Sequence, residues 1–124
     1  MKKLIVLAIA IASQSALANA KTLDVTYTKP EKKGYTEYHI KTAAFAVDKK
    51  PACTVNNIKV TENSDFSYVD CGDHQAGVKV TKTRYQNIGL DWTVTNIVFS
   101  LDLPNQKLEK EYQLDSVQRY PKDY

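Results

Sequence analysis

The chain is predicted to fold as an all-β domain, a small antiparallel sandwich or barrel of about six to eight strands with one disulfide. Three observations predict this class. Beyond residue 20 the sequence is rich in Thr, Val, Ile and Tyr, which suit a pleated, half-buried surface. Apolar and polar residues alternate within short segments, and turn-forming residues interrupt those segments at short intervals. The chain also contains only two cysteines.

The N-terminus predicts a cleavable secretory signal peptide at residues 1–20. Lys2 and Lys3 precede an apolar run from Leu4 to Ala12, and small residues follow up to Ala20. This order is typical of export signals, and the run is too short for a bilayer, which requires about 20 apolar residues. We therefore expect residues 21–124 to be a single domain in the bacterial periplasm or outside the cell. We expect no membrane anchor, because no lipid-acceptor cysteine follows the cleavage point.

The charge balance argues against a nucleic-acid-binding surface. Without Lys2 and Lys3, 15 basic residues remain against 14 acidic ones, a net charge of +1. Nucleic-acid-binding domains instead carry a dense basic stripe. Small basic clusters remain, and they are typical of solvated loops and strand faces. These clusters are Lys29, Lys32 and Lys33; Lys49 and Lys50; and Lys79, Lys82 and Arg84.

The two cysteines, Cys53 and Cys71, are predicted to form a disulfide, because an even number of cysteines in an exported chain is normally oxidised. Closing a loop of this length stabilises a fold by about 3 kcal/mol in the chain-entropy model. That is a large share of the roughly 5–15 kcal/mol that a single small domain has in total. We expect the disulfide to join two neighbouring strands beside the core.

The first strand is indicated by Leu23, Val25 and Tyr27, which alternate with polar residues. The segment 29–34 should end it, since Pro30 cannot donate to a strand ladder and Gly34 permits a sharp turn.

Residues 35–47 are ambiguous between strand and helix. As a strand, the segment places Tyr38, Ile40, Thr42, Ala44 and Ala46 on one face. As a helix over about 36–47, packed on an antiparallel sheet, it would make the fold α+β, with Thr36 as its N-cap. The β-branched and aromatic residues favour the strand.

The middle of the chain alternates between predicted strands and turns. Strands are expected over 53–60, 66–71 and 78–85, with a break or bulge at Asn56–Asn57 in the first of them. Turns or loops are expected at 48–51, 61–65, 72–77 and 86–89. In the strand 66–71, Ser67, Val69 and Cys71 should share the inward face.

The last segment predicts a specific hairpin. Trp92 and Val94 alternate in one phase, whereas the apolar residues from Ile97 to Leu103 alternate in the other. Burying both sets requires a bulge near Asn96. A turn at Pro104–Asn105 would place apolar residues opposite each other and acid opposite base. The expected pairs are Leu101 with Leu108, Ile97 with Tyr112, Phe99 with Lys110 and Asp102 with Lys107.

No motif predicts an enzyme, a cofactor or a metal. The two histidines, His39 and His74, stand outside any Gly-x-Ser-x-Gly run, and an oxidised cysteine cannot serve as a nucleophile. The weak candidate metal loop of Asp70, Asp73 and His74 is better interpreted as a polar turn.

The tyrosine content fits either a binding protein or an ordinary small β domain, in which tyrosine buries its ring and leaves its hydroxyl in water. Tyrosine makes large, rigid contacts at low entropic cost, so tyrosines beside charged residues suit a protein-binding face. Candidate contact residues are Tyr35, His39, Arg84, Tyr85 and Tyr120. The predicted function is a non-enzymatic exported protein that binds another protein, of the inhibitor or immunity type. The alternative is a structural or surface-assembly subunit with an exposed edge strand.

Overall fold

The computed structural model describes residues 21–119, which form eight β-strands in two antiparallel sheets. The strands are β1 (Leu23–Tyr27), β2 (Glu31–Lys33), β3 (Glu37–Val47), β4 (Lys50–Thr61), β5 (Ser67–Cys71), β6 (His74–Asn87), β7 (Leu90–Leu103) and β8 (Gln106–Arg119). Within these residues no helix could cross a membrane. The predicted all-β, sandwich-like class is confirmed. The α+β alternative is wrong, because the ambiguous segment is strand β3.

The first sheet is built around β3. Strand β4 pairs along one side of it, and β1 and β2 pair along the other. Leu23 lies opposite Val47 and Glu31 lies opposite His39, so β1 and β2 keep one register and form a single edge strand interrupted at 28–30. Pro30 explains the interruption, because it has no amide hydrogen for the ladder. The predicted break at 29–34 is therefore shorter than expected, since β2 resumes the pairing.

The second sheet is a meander in the order β5-β6-β7-β8. The last hairpin has the predicted register, including Leu101 opposite Leu108 and Asp102 opposite Lys107. The pairing shifts between Thr95 and Asn96, at the predicted position, but the predicted change of phase in β7 is wrong, since Thr95, Ile97 and Phe99 are all buried on one face. The extra residue belongs to β8, because the partners of Thr95 and Asn96 are Asp115 and Gln113.

The two sheets pack face to face on one hydrophobic core. Phe45 of β3 meets Phe99 of β7 edge to face, with ring centroids 5.7 Å apart. Burying each such side chain contributes about 1.5–3 kcal/mol. The largest fully buried side chains come from both sheets and include Phe45, Ile40, Ile58, Phe99, Ile97 and Leu101.

Three links join the sheets at their margins. The predicted disulfide between Cys53 of β4 and Cys71 of β5 is confirmed, with a Cα–Cα distance of 5.5 Å. It joins consecutive strands that belong to different sheets, and it points to a non-reducing, extracellular-type environment. Beyond the far end of β4, the Asn63 amide donates to the Val80 carbonyl of β6 at 2.7 Å. At the other margin the Val25 amide donates to the Tyr112 hydroxyl oxygen at 2.9 Å.

The inward face of β3 differs from the prediction beyond Ile40. Tyr38 and Ile40 are buried as expected, but the next buried residues are Ala43 and Phe45. The predicted face of Thr42, Ala44 and Ala46 is therefore wrong. The phase changes because Lys41 and Asn57 form no pair in the β3–β4 ladder. Asn57 adopts φ 56°, a left-handed conformation that asparagine tolerates, which confirms the predicted break at Asn56–Asn57.

The predicted burial of Trp92 and Val94 is also wrong, since both are only half-buried. The inward phase of β7 runs through Asp91 and Thr95, which are buried. Strands β6, β7 and β8 have 14 residues each, whereas β3 and β4 have 11 and 12. The longer strands extend past the hydrophobic core, so their last inward positions are polar.

The predicted loop 72–77 is wrong as well. Only Gly72 and Asp73 form the turn, and β6 begins at His74. Gly77 lies inside β6, between Tyr68 and Ser100 of the neighbouring strands. Its lack of a side chain is required by packing, because a Cβ there would lie 2.5 Å from Ser100 Oγ.

Candidate functional site

The candidate site is one end of the sandwich, here called the open end. The β2–β3 turn, the β6–β7 turn and the last residues of β8 lie there, and the two sheets leave a cleft of about 400 Å³ between them. Its lining is polar and includes Tyr38, Lys82, Arg84, Asp91, Thr95 and Asp115. The cleft exists because β6, β7 and β8 continue past the core with polar residues in their inward phase.

An ion pair within the β6–β7 hairpin anchors the cleft. Arg84 Nε lies 3.1 Å from Asp91 Oδ1, and Arg84 Nη2 donates to Asp91 Oδ2, so the guanidinium contacts both carboxylate oxygens. The Arg84 side chain is 62 % exposed and that of Asp91 is 11 % exposed. A two-point contact of this kind fixes the guanidinium in one orientation at the mouth of the cleft.

A second polar group faces the hairpin from the other sheet. The Tyr38 hydroxyl donates to Glu62 Oε2 at 3.0 Å, and Lys82 Nζ lies 3.8 Å from the same oxygen. Burial and the hydrogen bond to Glu62 raise the pKa of Tyr38 to about 12. The hydroxyl therefore stays protonated at physiological pH and acts as a hydrogen-bond donor. Together these contacts pre-form the polar floor of the cleft.

The rim of the open end is apolar. The large hydrophobic side chains that are exposed within residues 21–119 are Tyr35, Tyr68, Tyr85, Ile88 and Val117. All of them except Tyr68 belong to the open end: Tyr35 in the β2–β3 turn, Tyr85 and Ile88 at the tip of the β6–β7 hairpin, and Val117 on β8. Tyr35 is 92 % exposed and Ile88 is 101 % exposed, so both project fully into solvent.

An aromatic pair stiffens the projecting hairpin on its outer face. Tyr85 and Trp92 occupy opposite positions of β6 and β7, and their rings stack with centroids 5.4 Å apart and planes 18° apart. Such a pair contributes about 0.5–1.5 kcal/mol beyond the area it buries. Hairpins that lack core contacts are marginal, so the stack on one face and the Arg84–Asp91 pair on the other supply the missing support.

The structure brings together three of the candidate contact residues chosen from sequence. Tyr35, Arg84 and Tyr85 lie at the open end. His39 lies on the outer face of the first sheet, where its Nε2 is 2.8 Å from Glu37 Oε1. Tyr120 lies outside the described residues.

Sequence reasoning missed Ile88, Val117 and Asp91 as members of the site. One available signal was Ile88 itself, because a large apolar residue within a predicted turn at 86–89 has no core to enter. Trp92 was placed in the core, whereas its ring lies in the outer stack with Tyr85. Nothing in the local pattern of β8 marks Val117, because its exposure depends on how far the opposite sheet extends.

The two histidines lie apart. His39 is on the outer face of the first sheet, and His74 lines a separate cavity beside Asp48 and Leu103. Asp70 and Asp73 of the weak candidate metal loop are exposed at the β5–β6 turn. Residues 21–119 contain no group of three or more His, Cys, Asp or Glu side chains placed to hold a metal ion.

The chain was compared with known families, curated proteins and solved structures. No family model, no curated protein and no solved structure matches it.

Proposed function

We propose that this protein is exported by a cleaved signal peptide to the bacterial periplasm or the exterior, where it binds another protein without catalysing a reaction. Its contact surface is the open end. Inhibitors of wall-degrading enzymes and immunity proteins against secreted toxins share this size and compartment, so the proposal is of that class. It involves no cofactor, nucleic acid or membrane anchor.

The distribution of exposed apolar residues carries the proposal. Four of the five large hydrophobic side chains exposed within residues 21–119 gather at the open end, around a cleft lined with charged residues. Large apolar side chains that gather at one exposed surface mark interaction sites. Tyr, Trp and Arg are the residues most enriched among energetically dominant contacts, and the β6–β7 hairpin presents one of each.

The open end is also organised before any partner arrives. The Arg84–Asp91 contact and the Tyr85–Trp92 stack hold the side chains of the hairpin in defined positions. Each long side chain that is already ordered saves about 0.5–1.5 kcal/mol of ordering free energy on association. The ordered β6–β7 hairpin and the cleft beside it together suit a protein partner that projects a complementary loop.

The control for the test is Tyr68, the one large hydrophobic side chain exposed within residues 21–119 that lies away from the open end. The purified protein is immobilised, a stoichiometric partner is recovered from envelope extract and identified, and its dissociation constant is measured. Ile88→Ser and Tyr35→Ser should each weaken binding about tenfold or more, since exposed anchors are worth about 1–4 kcal/mol. Tyr68→Ser, which removes a tyrosine that is 47 % exposed, should leave the affinity unchanged.

Two outcomes would refute the proposal. Recovery of no protein at stoichiometric amount would argue against protein binding. Equal weakening by Tyr68→Ser and Ile88→Ser would show that the contact surface is elsewhere. Circular dichroism of each variant verifies that the fold is retained.

A second candidate function, a surface-assembly subunit, is favoured by the edge strand β8. This strand has 14 residues and pairs only with β7 in its sheet. A long edge is a template for strand addition by another chain. Charged residues such as Glu109, Glu111 and Asp115 along it oppose self-association. This candidate function predicts that the molar mass measured by light scattering rises with protein concentration. A molar mass that stays at the monomer value would refute it.

A further inference from the structure

A basic groove crosses the outer face of the first sheet, away from the cleft. Its volume is about 530 Å³, within the range of small-molecule sites. It lies where the edge strand is interrupted between β1 and β2, and its basic lining residues are Lys29, Lys33, His39, Lys41 and Lys59. These five residues come from the β1–β2 connection, β2, β3 and β4, so only the folded sheet assembles them.

Glu31 also lines the groove, and both it and Glu37 are already engaged in ion-pair contacts. Glu31 Oε2 lies 3.1 Å from Lys33 Nζ, and Glu37 Oε1 lies 2.8 Å from His39 Nε2. Among residues 21–119 no carboxylate lies within ion-pair distance of Lys29, Lys41 or Lys59. Three ammonium groups therefore surround the groove without an ion-pair partner of their own among residues 21–119.

The strand register places these positive charges close to one another, which is electrostatically unfavourable. Because β1 and β2 share one register on β3, Lys29 falls opposite Lys41, at the position where the ladder is broken. Like charges opposite each other in a sheet are destabilising. The neighbouring Lys59 lies opposite His39 on the other side of β3, which brings a further cation to the same face. A bound anion would relieve this repulsion, so the groove is complementary to negative charge.

We propose that this groove binds a small polyanion, a molecule carrying two or more phosphate or carboxylate groups. Lysine suits such a ligand, because its ammonium acts as a mobile point charge that adapts to phosphate oxygens. Two anionic groups are required because the free ammonium groups stand on both sides of β3. The proposal concerns a different face from the open end and does not depend on the proposed protein partner.

The test is calorimetric titration of the purified protein with pyrophosphate, and separately with citrate, at low ionic strength. We expect saturable binding of one molecule that weakens as salt is added. The Lys41→Gln/Lys59→Gln double variant should bind at least about tenfold more weakly, because each removed charge contributes severalfold at such distances. Lys50→Gln is the matched control for the single variants Lys41→Gln and Lys59→Gln, since Lys50 lines a different cavity and each of the three changes the net charge by one.

Three results would overturn the proposal. The first is absence of saturable binding for both pyrophosphate and citrate. The second is equal weakening by Lys50→Gln and by either single variant in the groove, which would show a response to net charge alone. The third is binding of an Asp-rich peptide while neither small anion binds, because the groove would then serve a protein ligand. If these titrations show no binding, the partner affinities of Ile88→Ser and Tyr35→Ser can still be interpreted, because those residues lie on a different face.

Discussion

Gly77 offers a test of the packing on the outer face of the second sheet. In an unobstructed strand, replacing glycine by alanine stabilises a protein by about 0.5–1 kcal/mol, because the unfolded chain loses conformational freedom. Here the added Cβ would lie 2.5 Å from Ser100 Oγ and 3.1 Å from ring atoms of both Phe66 and Tyr68. We therefore expect the sign to reverse, with Gly77→Ala destabilising the fold by about 1–3 kcal/mol.

A substitution at Ser100 makes the test sharper, because Ser100 Oγ is the atom that lies closest to the added Cβ. Ser100 is 0 % exposed, and its Oγ has no hydrogen-bond partner among the described residues. A buried unpaired hydroxyl costs about 1–3 kcal/mol, so Ser100→Ala should be neutral or stabilising by about 1 kcal/mol. Added to Gly77→Ala, it should recover about 1–2 kcal/mol. Recovery stays partial because the rings of Phe66 and Tyr68 must still shift.

The assay is urea unfolding of the four members of the cycle, followed by circular dichroism. Ser67→Ala is the control partner, because Ser67 lies on the inward face of β5 and should show no coupling to Gly77→Ala. A Gly77→Ala variant as stable as the parent would refute the packing described here. So would a Gly77→Ala/Ser100→Ala variant no more stable than Gly77→Ala alone.

Three further outcomes are expected. Replacing Cys53 and Cys71 together by Ala should lower the free energy of unfolding by about 3 kcal/mol, measured by urea titration, and a reducing agent should then have no additional effect. Asp91→Asn should cost about 1 kcal/mol in thermal unfolding, because the solvent that reaches Arg84 screens the pair. The control Asp70→Asn, on the exposed face of β5, should cost nothing measurable. The folded-state pKa of Tyr38 lies above its unfolded value, so its contribution to stability is complete below pH 10 and is lost as pH rises toward about 12. Urea titrations across that interval should show a steeper loss for the parent than for Tyr38→Phe.

The last hairpin shows what local chemistry can determine. Its predicted register was confirmed pair by pair, from Leu103 opposite Gln106 to Ile97 opposite Tyr112. A tight turn at Pro104–Asn105 fixes which residues face each other, and alternation fixes which face is apolar. Both signals lie within about twenty residues of chain, so neither needs knowledge of the rest of the fold.

The candidate site shows where local chemistry fails. Trp92 and Val94 alternate as regularly as buried residues do, yet they stay half-buried because they lie on the face of β7 that points away from the core. Gly77 resembled a loop residue until its neighbours were known. Likewise, the spacing of Lys29, Lys41 and Lys59 along the chain does not predict that they line one groove. Each of these facts depends on the length or register of another strand.

The sequence by itself determined the all-β class, the disulfide and the pairing of the last hairpin, because periodicity, cysteine number and turn chemistry act over short stretches of chain. The tertiary structure decided which ends of the strands extend past the core, and therefore that Tyr35, Ile88 and Arg84 belong to the same end of the sandwich. The physical reason is that burial is a property of two sheets together. A strand's own residues cannot specify how much of it the opposite sheet will cover.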